Sequence, residues 1–421
     1  MEGLATAAGH EDRQAPLKNY CKGLLLPGER KSIEPMAARL DPDNVQPMRQ
    51  SLQHLVANAP WRDDIMLEQV RNYALPAMQK HGPVVASIVD DTGFPKKGKH
   101  SVGVARQYCG QVGKQDNCRV AVSVSVATWS SSLPIAYRLY LPKEWAEVAE
   151  RRDKTAVPEE VEFKTRPEIA LDQIRAAVAA KVPLGVVLAD AAYGVNTEFR
   201  DELTRLGLRY AVGVQSSTTV WEPGKQPLPA KPRGSMGRPP RLLQRTPDHQ
   251  PVSVKQLAMS LPAGAFREIT WREGTDRKLQ SRFAAVRVRP AHRDEERAEP
   301  HAEEWLLIEW PRGDAEPTKY WISTLPSSTK LKALVRIAKH RWIIERDYEE
   351  LKQELGLGHF EGRNWRGFHH HATLCIAAYG FLVAERNLFS PSARVGNTGI
   401  VATGPGSDFR PRGSPSTSRA A

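Results

Sequence analysis

The chain has 421 residues, enough for two or three domains with well-filled cores. Its 60 Lys and Arg outnumber its 48 Asp and Glu, and the net charge of +12 favours a polyanionic partner, with nucleic acid as the first candidate. The four cysteines show no metal-ligand spacing, which argues against a zinc site or a disulfide framework and fits a reducing cytoplasm. The longest apolar run, 375–384, is about half of a membrane span, so a membrane protein is not expected.

The first half of the chain divides into a helical region and a mixed α/β region. Residues 1–80 are predicted to be helical and could contact DNA. Residues 81–215 are predicted to be the first part of the core. A fully apolar run at 84–89 predicts a buried strand that ends at Asp90. Further strands are predicted at 118–129, 133–141, 184–189 and 210–214, and helices at 170–181 and 197–206.

The second half begins with a different composition. Residues 216–320 are rich in Pro and Gly and carry a basic loop at 224–251, so we expect a β-rich insertion with strands at 266–271, 284–288 and 305–310. The core should resume over 321–390, with one more strand at 319–323 followed by a long helix. The Ser, Gly, Pro and Arg of 391–421 predict a disordered tail.

The late run 329–357 contains no Pro and no Gly before Gly356, and is predicted to be one helix. At 100° per residue its charged residues Arg341, Glu345 and Lys352 share a face with apolar side chains, so that face should point to the core. A carboxylate between two cations is costly there unless something uses or neutralises it. The alternative is a solvated helix with i,i+4 charge pairs, and Glu349 is the second choice for the carboxylate.

Two acids recur at predicted strand ends, Asp90 and Asp190. Sites form at the ends of neighbouring strands in open sheets, although a turn-initiating aspartate is the ordinary alternative. Together with Glu345 they would form an oxygen-only ligand set that suits Mg²⁺ or Mn²⁺. Two such ions can activate a water or a 3′-hydroxyl in phosphoryl transfer. Five cations could offset the negative charge for a DNA substrate: Lys96, Lys97, Lys99, Arg341 and Lys352.

Several motifs resemble a known family. They are Asp90-Asp91-Thr92-Gly93-Phe94-Pro95-Lys96-Lys97-Gly98, Ser101-Val102-Gly103-Val104-Ala105-Arg106-Gln107-Tyr108, Ala189-Asp190-Ala191-Ala192-Tyr193-Gly194, and the run from Arg341 through Gly362-Arg363 to Gly367-Phe368-His369-His370-His371. The chain resembles the DDE transposases of bacterial insertion sequences, in particular the insertion-sequence-701 group. Arg341, Glu345 and Lys352 match the Tyr-x₂-Arg-x₃-Glu-x₆-Lys signature of a related group, and Ala338 stands at its Tyr position.

This resemblance implies an α/β fold with an RNase H-like (retroviral-integrase-like) mixed-sheet core, interrupted by the β-rich insertion and preceded by the helical region. It implies Asp90, Asp190 and Glu345 as the catalytic metal ligands for two Mg²⁺ or Mn²⁺ ions. Asp90 is preferred to Asp91 because the family pattern fixes the first acid and because adjacent strand residues face opposite ways.

The implied activity is cleavage of double-stranded DNA at element ends and strand transfer into target DNA. The resemblance also implies that the protein acts as a homodimer or higher multimer on the DNA. It implies a location in the bacterial cytoplasm, at the nucleoid. Two alternatives stay open: a DNA-binding remnant that is not competent for transposition, and a metal-dependent nuclease that hydrolyses without joining.

Three weaker features have ordinary explanations. The consecutive histidines 369–371 point in different directions on a helix and cannot form one metal site, so packing or DNA contact is expected of them. Gly237-Arg238-Pro239-Pro240 resembles a minor-groove hook, with a flexible basic loop as the alternative. Trp342 could stack on a base or belong to the core.

Overall fold

A computed structural model of the chain describes residues 2–231, 241–273 and 278–389. The predicted tail at 391–421, the hook around Arg238 and part of the basic loop lie outside the described residues. Three apolar clusters of buried side chains form the interior of the described part, and the largest runs from Ala8 to Ala384. None of the helices in these ranges is long and apolar enough to cross a membrane.

The predicted helical region forms five helices. Apolar spacing and Pro punctuation predict most of their bounds, and the segment 45–57 is helical over the predicted residues. The helices are α1 (Glu2–Ala7), α2 (Gln14–Leu25), α3 (Ile33–Leu40), α4 (Val45–Ala57) and α5 (Asp63–Gln79).

The next part of the chain alternates strands and helices as predicted. Its strands are β1 (Ala86–Pro95), β2 (Ala105–Cys109), β3 (Lys114–Ala127), β4 (Ser132–Leu139), β5 (Val186–Ala189) and β6 (Tyr210–Val214). Its helices are α6 (Lys143–Ala146), α7 (Ala149–Thr155), α8 (Arg166–Ala179), α9 (Ala191–Gly194) and α10 (Thr197–Arg205). The short elements β2, α6, α7 and α9 have too few residues for a periodic pattern, and the sequence did not predict them.

The predicted insertion is mostly β, as its composition indicates. It contains β7 (Thr219–Trp221), β8 (Val252–Ser253), α11 (Val254–Ser260), β9 (Arg267–Glu273), β10 (Lys278–Pro290) and β11 (Glu304–Trp310). The chain then forms β12 (Lys319–Ser323), α12 (Leu331–Lys339), α13 (Ile343–Gln353) and α14 (Trp365–Phe389).

The described strands form one mixed sheet of 12 strands. Its main order is β2-β3-β1-β5-β6-β12-β11-β10-β7-β8, with β4 also paired to β3 and β9 also paired to β10. β1, β5 and β6 run parallel, while β3 is antiparallel to β1 and β12 is antiparallel to β6. The strands of the predicted insertion therefore continue the same sheet, because β12 and β11 connect them to β6.

The predicted end of the first strand at Asp90 is wrong. β1 pairs with β5 only from Ala86 to Ile88, but it pairs with β3 along its whole length to Pro95. The long β3 supplies backbone partners beyond the point where β5 ends, so β1 continues through Asp90 and Asp91. Asp90 therefore lies inside a strand, at the place where the parallel partner stops.

The late helix is not continuous. A 3₁₀ turn at His340–Trp342 separates α12 from α13. Because a 3₁₀ turn advances about 120° per residue in place of 100°, the buried face rotates between the two helices. Glu345, which was predicted to face the core, consequently lies on the exposed side of α13, while Asp347 is fully buried.

Candidate active site

The end of β5 brings Asp190 level with Asp90. Ile88 is opposite Leu188 in the parallel pairing, so the same register continued by two residues places Asp90 opposite Asp190. The Asp190 carboxylate is close enough to Asp90 to contribute to the rise in the pKa of Asp90. Asp190 ends the strand as predicted and caps α9, where its Oδ1 accepts a hydrogen bond from the Ala192 amide at 2.9 Å.

Arg341 connects these acids to Glu345. Its Nη1 donates to Asp90 Oδ2 at 2.9 Å, and its Nη2 lies 3.6 Å from Glu345 Oε1. Burial acts to lower the pKa of Arg341, but Asp90, Asp190 and Glu345 together raise it above its ordinary value. The guanidinium is therefore the common neighbour of all three predicted acids.

The environment of Asp90 disfavours its charge. Burial, with the neighbouring Asp190 carboxylate, raises its pKa to about 6 despite the opposing effect of Arg341. Its side chain is 18% exposed, whereas that of Glu345 is 67% exposed. A carboxylate held next to another one at the edge of the surface creates a demand for positive charge, which Arg341 meets in this conformation.

The donor set fits a hard divalent cation in its chemistry, since it consists of carboxylate oxygens. Within the described ranges, however, no three His, Cys, Asp or Glu side chains converge as a preformed metal-binding group. Glu345 faces outward and Arg341 stands between it and Asp90. Full convergence of the three acids would need a movement of these two side chains.

Asp91 has a different set of partners. Its Oδ2 accepts from Arg166 at 2.8 Å, and its Oδ1 accepts from the Tyr193 hydroxyl. Arg166 starts α8 and Tyr193 belongs to α9, so this carboxylate connects two helices to β1. The sequence predicted that only one of the two adjacent acids faces the site, but it did not reveal these partners of Asp91.

Tyr348 is a further polar residue near the acids that the sequence did not single out for chemistry. Its hydroxyl hydrogen-bonds to the Ser123 hydroxyl, and Ser123 is the residue opposite Asp90 on β3. Ala338, which stands where the signature has a tyrosine, is buried on α12 and packs against side chains of the insertion. Tyr348 belongs to the next helix, one turn after Glu345, and it is buried.

The predicted DNA-contacting cations divide into two groups. Lys97 and Lys99 are exposed in the loop after β1. Lys96 and Lys352 are half-buried and bind main-chain carbonyls, those of Phe360 at 2.8 Å and Gly93 at 3.0 Å. Burial lowers the pKa of Lys96 to about 8 and also lowers that of Lys352. These two ammonium groups hold the C-terminal end of β1 in the fold.

The three consecutive histidines are all buried and contact different partners. His369 accepts from the Leu139 amide at 3.2 Å, His370 stacks on Trp61 at 3.6 Å between ring centroids, and His371 meets the Tyr20 hydroxyl at 2.8 Å. They share no common site and have no access to DNA in this structure. Packing is their role here.

Comparison with known proteins places these features in a family. A family model described as "DDE superfamily endonuclease" matches residues 3–278, a span that contains Asp90 and Asp190 and ends before Glu345. A protein of Microchaete diplosiphon, named "Probable transposase for insertion sequence element IS701", is 31% identical over 193 residues. That match covers 46% of this chain and 46% of the relative, so the chain aligns with just under half of its length.

Among solved structures, the NurA nuclease from Sulfolobus solfataricus matches 71% of this chain and 84% of its own, at 8% identity and a TM-score of 0.22. A TM-score that low supports no inference. The family assignment depends on the sequence match, which spans more than half of the chain and both strand-associated aspartates. The chain belongs to the DDE superfamily endonucleases.

Proposed function

We propose that the chain is a transposase that cuts double-stranded DNA at the ends of an insertion sequence and transfers the 3′ ends into target DNA. The observation that carries the proposal is the pair of aspartates at the same level on β1 and β5, joined to Glu345 by Arg341. The membership in the endonuclease family and the likeness to an IS701 transposase support the reaction class.

In this proposal Asp90, Asp190 and Glu345 hold two Mg²⁺ or Mn²⁺ ions. Bound there, the ions would activate the attacking water or 3′-hydroxyl and stabilise the leaving oxygen. Arg341 neutralises the acids in the free protein and is placed to contact a substrate phosphate once they are neutralised by other means. The capping bond from Ala192 holds the Asp190 carboxylate in position throughout.

The proposed core is RNase H-like. It is supported by the mixed order of β4, β3, β1, β5 and β6 with helical cover, and it would be interrupted by the insertion at 216–320. We further propose that the protein acts as a homodimer or higher multimer on paired DNA ends, in the bacterial cytoplasm at the nucleoid. Lys97 and Lys99, which are exposed beside β1, are proposed DNA contacts.

The proposal is tested with Asp90→Asn, Asp190→Asn and Glu345→Gln, assayed for Mg²⁺-dependent cleavage and strand transfer on element-end DNA. Each should abolish both reactions and leave binding of the end DNA in EDTA nearly unchanged. Glu354→Gln, an exposed acid at the end of α13, is the matched control and should retain activity. If Asp90→Asn or Asp190→Asn still cleaves, the proposed function is wrong. Cleavage without joining by the unaltered protein would reduce the proposal to a nuclease.

A further inference from the structure

A groove lies between the β9–β10 hairpin and α12, at some distance along the late helical segment from the three acids. Its volume is about 500 Å³. Four of its lining residues are cations and none is an acid; the lining consists of Thr270, Trp271, Arg272, Lys278, Lys332 and Arg336. We call this the cationic groove.

The four cations of the cationic groove are exposed, and none makes an ion pair with a carboxylate among the described side chains. The neighbouring Lys339 behaves differently. It is half-buried, pairs with Glu309 at 2.6 Å and lies over the Trp271 ring, so its charge is used inside the fold. Among the described side chains of this region, the unpaired positive charge therefore lies at the groove surface, where an anionic ligand can reach it.

Aromatic rings hold two of these guanidinium groups in place. Arg272 lies 3.5 Å above the Trp342 ring centroid, and Arg336 lies 3.8 Å above that of Trp129. A ring occupies only the flat face of a guanidinium, so the N–H edges stay available for phosphate oxygens. The two groups are thus ordered before any ligand binds, which reduces the conformational entropy lost on binding.

Two consecutive residues of the 3₁₀ turn connect the cationic groove to the candidate active site. Trp342, which supports Arg272, directly follows Arg341, which binds Asp90. A polymer that reaches the acids can therefore extend over the hairpin and α12. A small anion would not need this length, whereas a phosphodiester backbone carries a charge at every nucleotide and would meet several of the cations at once.

We propose that the cationic groove binds the phosphodiester backbone of the DNA segment that leads to the three acids. Its cations contact phosphates, which position the DNA without reading its sequence. The inference rests on the proposed function, since it names where the substrate of that site runs. An acidic polypeptide is the competing ligand, and the experiment below distinguishes it.

The test measures binding of the full chain to a fluorescently labelled duplex of about 30 base pairs, by anisotropy in EDTA at several salt concentrations. The double variant Lys332→Ala/Arg336→Ala is compared with Lys80→Ala/Lys154→Ala, which removes two exposed cations away from the groove. The groove variant should bind about tenfold more weakly or worse, equally for two unrelated sequences. Its plot of log K against log salt should be shallower by about 2, one for each lost phosphate contact. The control should match the unaltered protein.

Unchanged affinity and salt slope in the groove variant, with the same thermal unfolding midpoint, would overturn the proposal. So would a loss on one sequence only, because that indicates base reading. The third contrary result concerns poly-glutamate. The proposal would be overturned if poly-glutamate bound the unaltered protein as tightly as DNA does, and if its affinity fell in the groove variant but not in the control. Since these assays contain no metal, they are independent of cleavage. Cleavage by Asp90→Asn would refute the proposed function and leave the binding result standing.

Discussion

Asp90 and Asp91 are neighbours in sequence but have opposite surroundings, because successive side chains of a strand point to opposite faces. Asp90 faces Arg341 and Asp190, in a setting that raises its pKa to about 6. Asp91 accepts hydrogen bonds from Arg166 and Tyr193. The first carboxylate is the proposed metal ligand, and the second holds the helices that surround it.

Asp91→Asn should therefore lower the free energy of unfolding by about 1–3 kcal/mol, because the Arg166 guanidinium and the Tyr193 hydroxyl lose a charged acceptor. The measurement is urea unfolding followed by fluorescence. Asp90→Asn is the matched control and should change stability less, since Arg341 keeps Glu345 as a neighbour. Loss of cleavage in Asp91→Asn at full stability would instead place Asp91 among the metal-binding acids.

The candidate acids could be predicted from the sequence. The side chains that contact them could not. The alternation of a strand separates Asp90 from Asp91 without any structure. Arg166 lies 75 residues from Asp91, and Arg341 lies 251 residues from Asp90. Contacts at such separations depend on how the elements pack, which a local pattern does not encode.

At the scale of elements, the turn from β5 into α9 fixes the position of Asp190. α9 packs directly on β6, and a Cβ at Gly194 would overlap the carbonyl oxygen of Gly213. A side chain there has no space, so the glycine that ends the Ala189–Gly194 motif is required by this close approach. The motif thus specifies a packing contact as well as an acid.

Gly194→Ala is expected to lower the free energy of unfolding by about 1–3 kcal/mol, because α9 must move away from β6. The shift should also displace Asp190 and weaken the proposed binding of Mg²⁺, which calorimetric titration would measure. Gly264→Ala is the control, since a Cβ at that glycine meets nothing within 4 Å. Equal stability of the two variants would show that α9 adapts without cost.

The late helix shows why element bounds are harder to predict than element type. Its apolar spacing and lack of Pro predict one helix, and α12 and α13 are both helical. The sequence carries no Gly or Pro to mark the 3₁₀ turn at His340–Trp342. The buried His340, whose Nε2 lies 2.7 Å from the Thr128 carbonyl oxygen, is one tertiary contact that accompanies the break. A tertiary contact of this kind cannot be predicted from the spacing of apolar residues.

At the scale of the whole molecule, the N-terminal helices and the predicted insertion are joined to the core in different ways. The helices pack on α14, where Trp61 stacks on His370 within the largest apolar cluster. The insertion shares the sheet and forms a second cluster with α12 that includes Phe283 and Leu334. Its junction with β6 contains a buried carboxylate, Glu304, whose Oε1 accepts from the Tyr210 hydroxyl at 2.8 Å.

Glu304 should make stability depend on pH. Burial raises its pKa from 4.5 to about 7, so the folded chain holds this proton more tightly than the unfolded chain does. Its stabilising contribution is complete below about pH 4.5 and is lost as the pH rises through 7. Glu304→Gln keeps an acceptor for Tyr210 and does not titrate. Relative to this variant, the unaltered protein should lose about 3 kcal/mol between pH 4.5 and 8, at about 1.4 kcal/mol per unit. Urea unfolding across this range measures the difference, and a constant difference would show that Glu304 is ionised at the junction throughout.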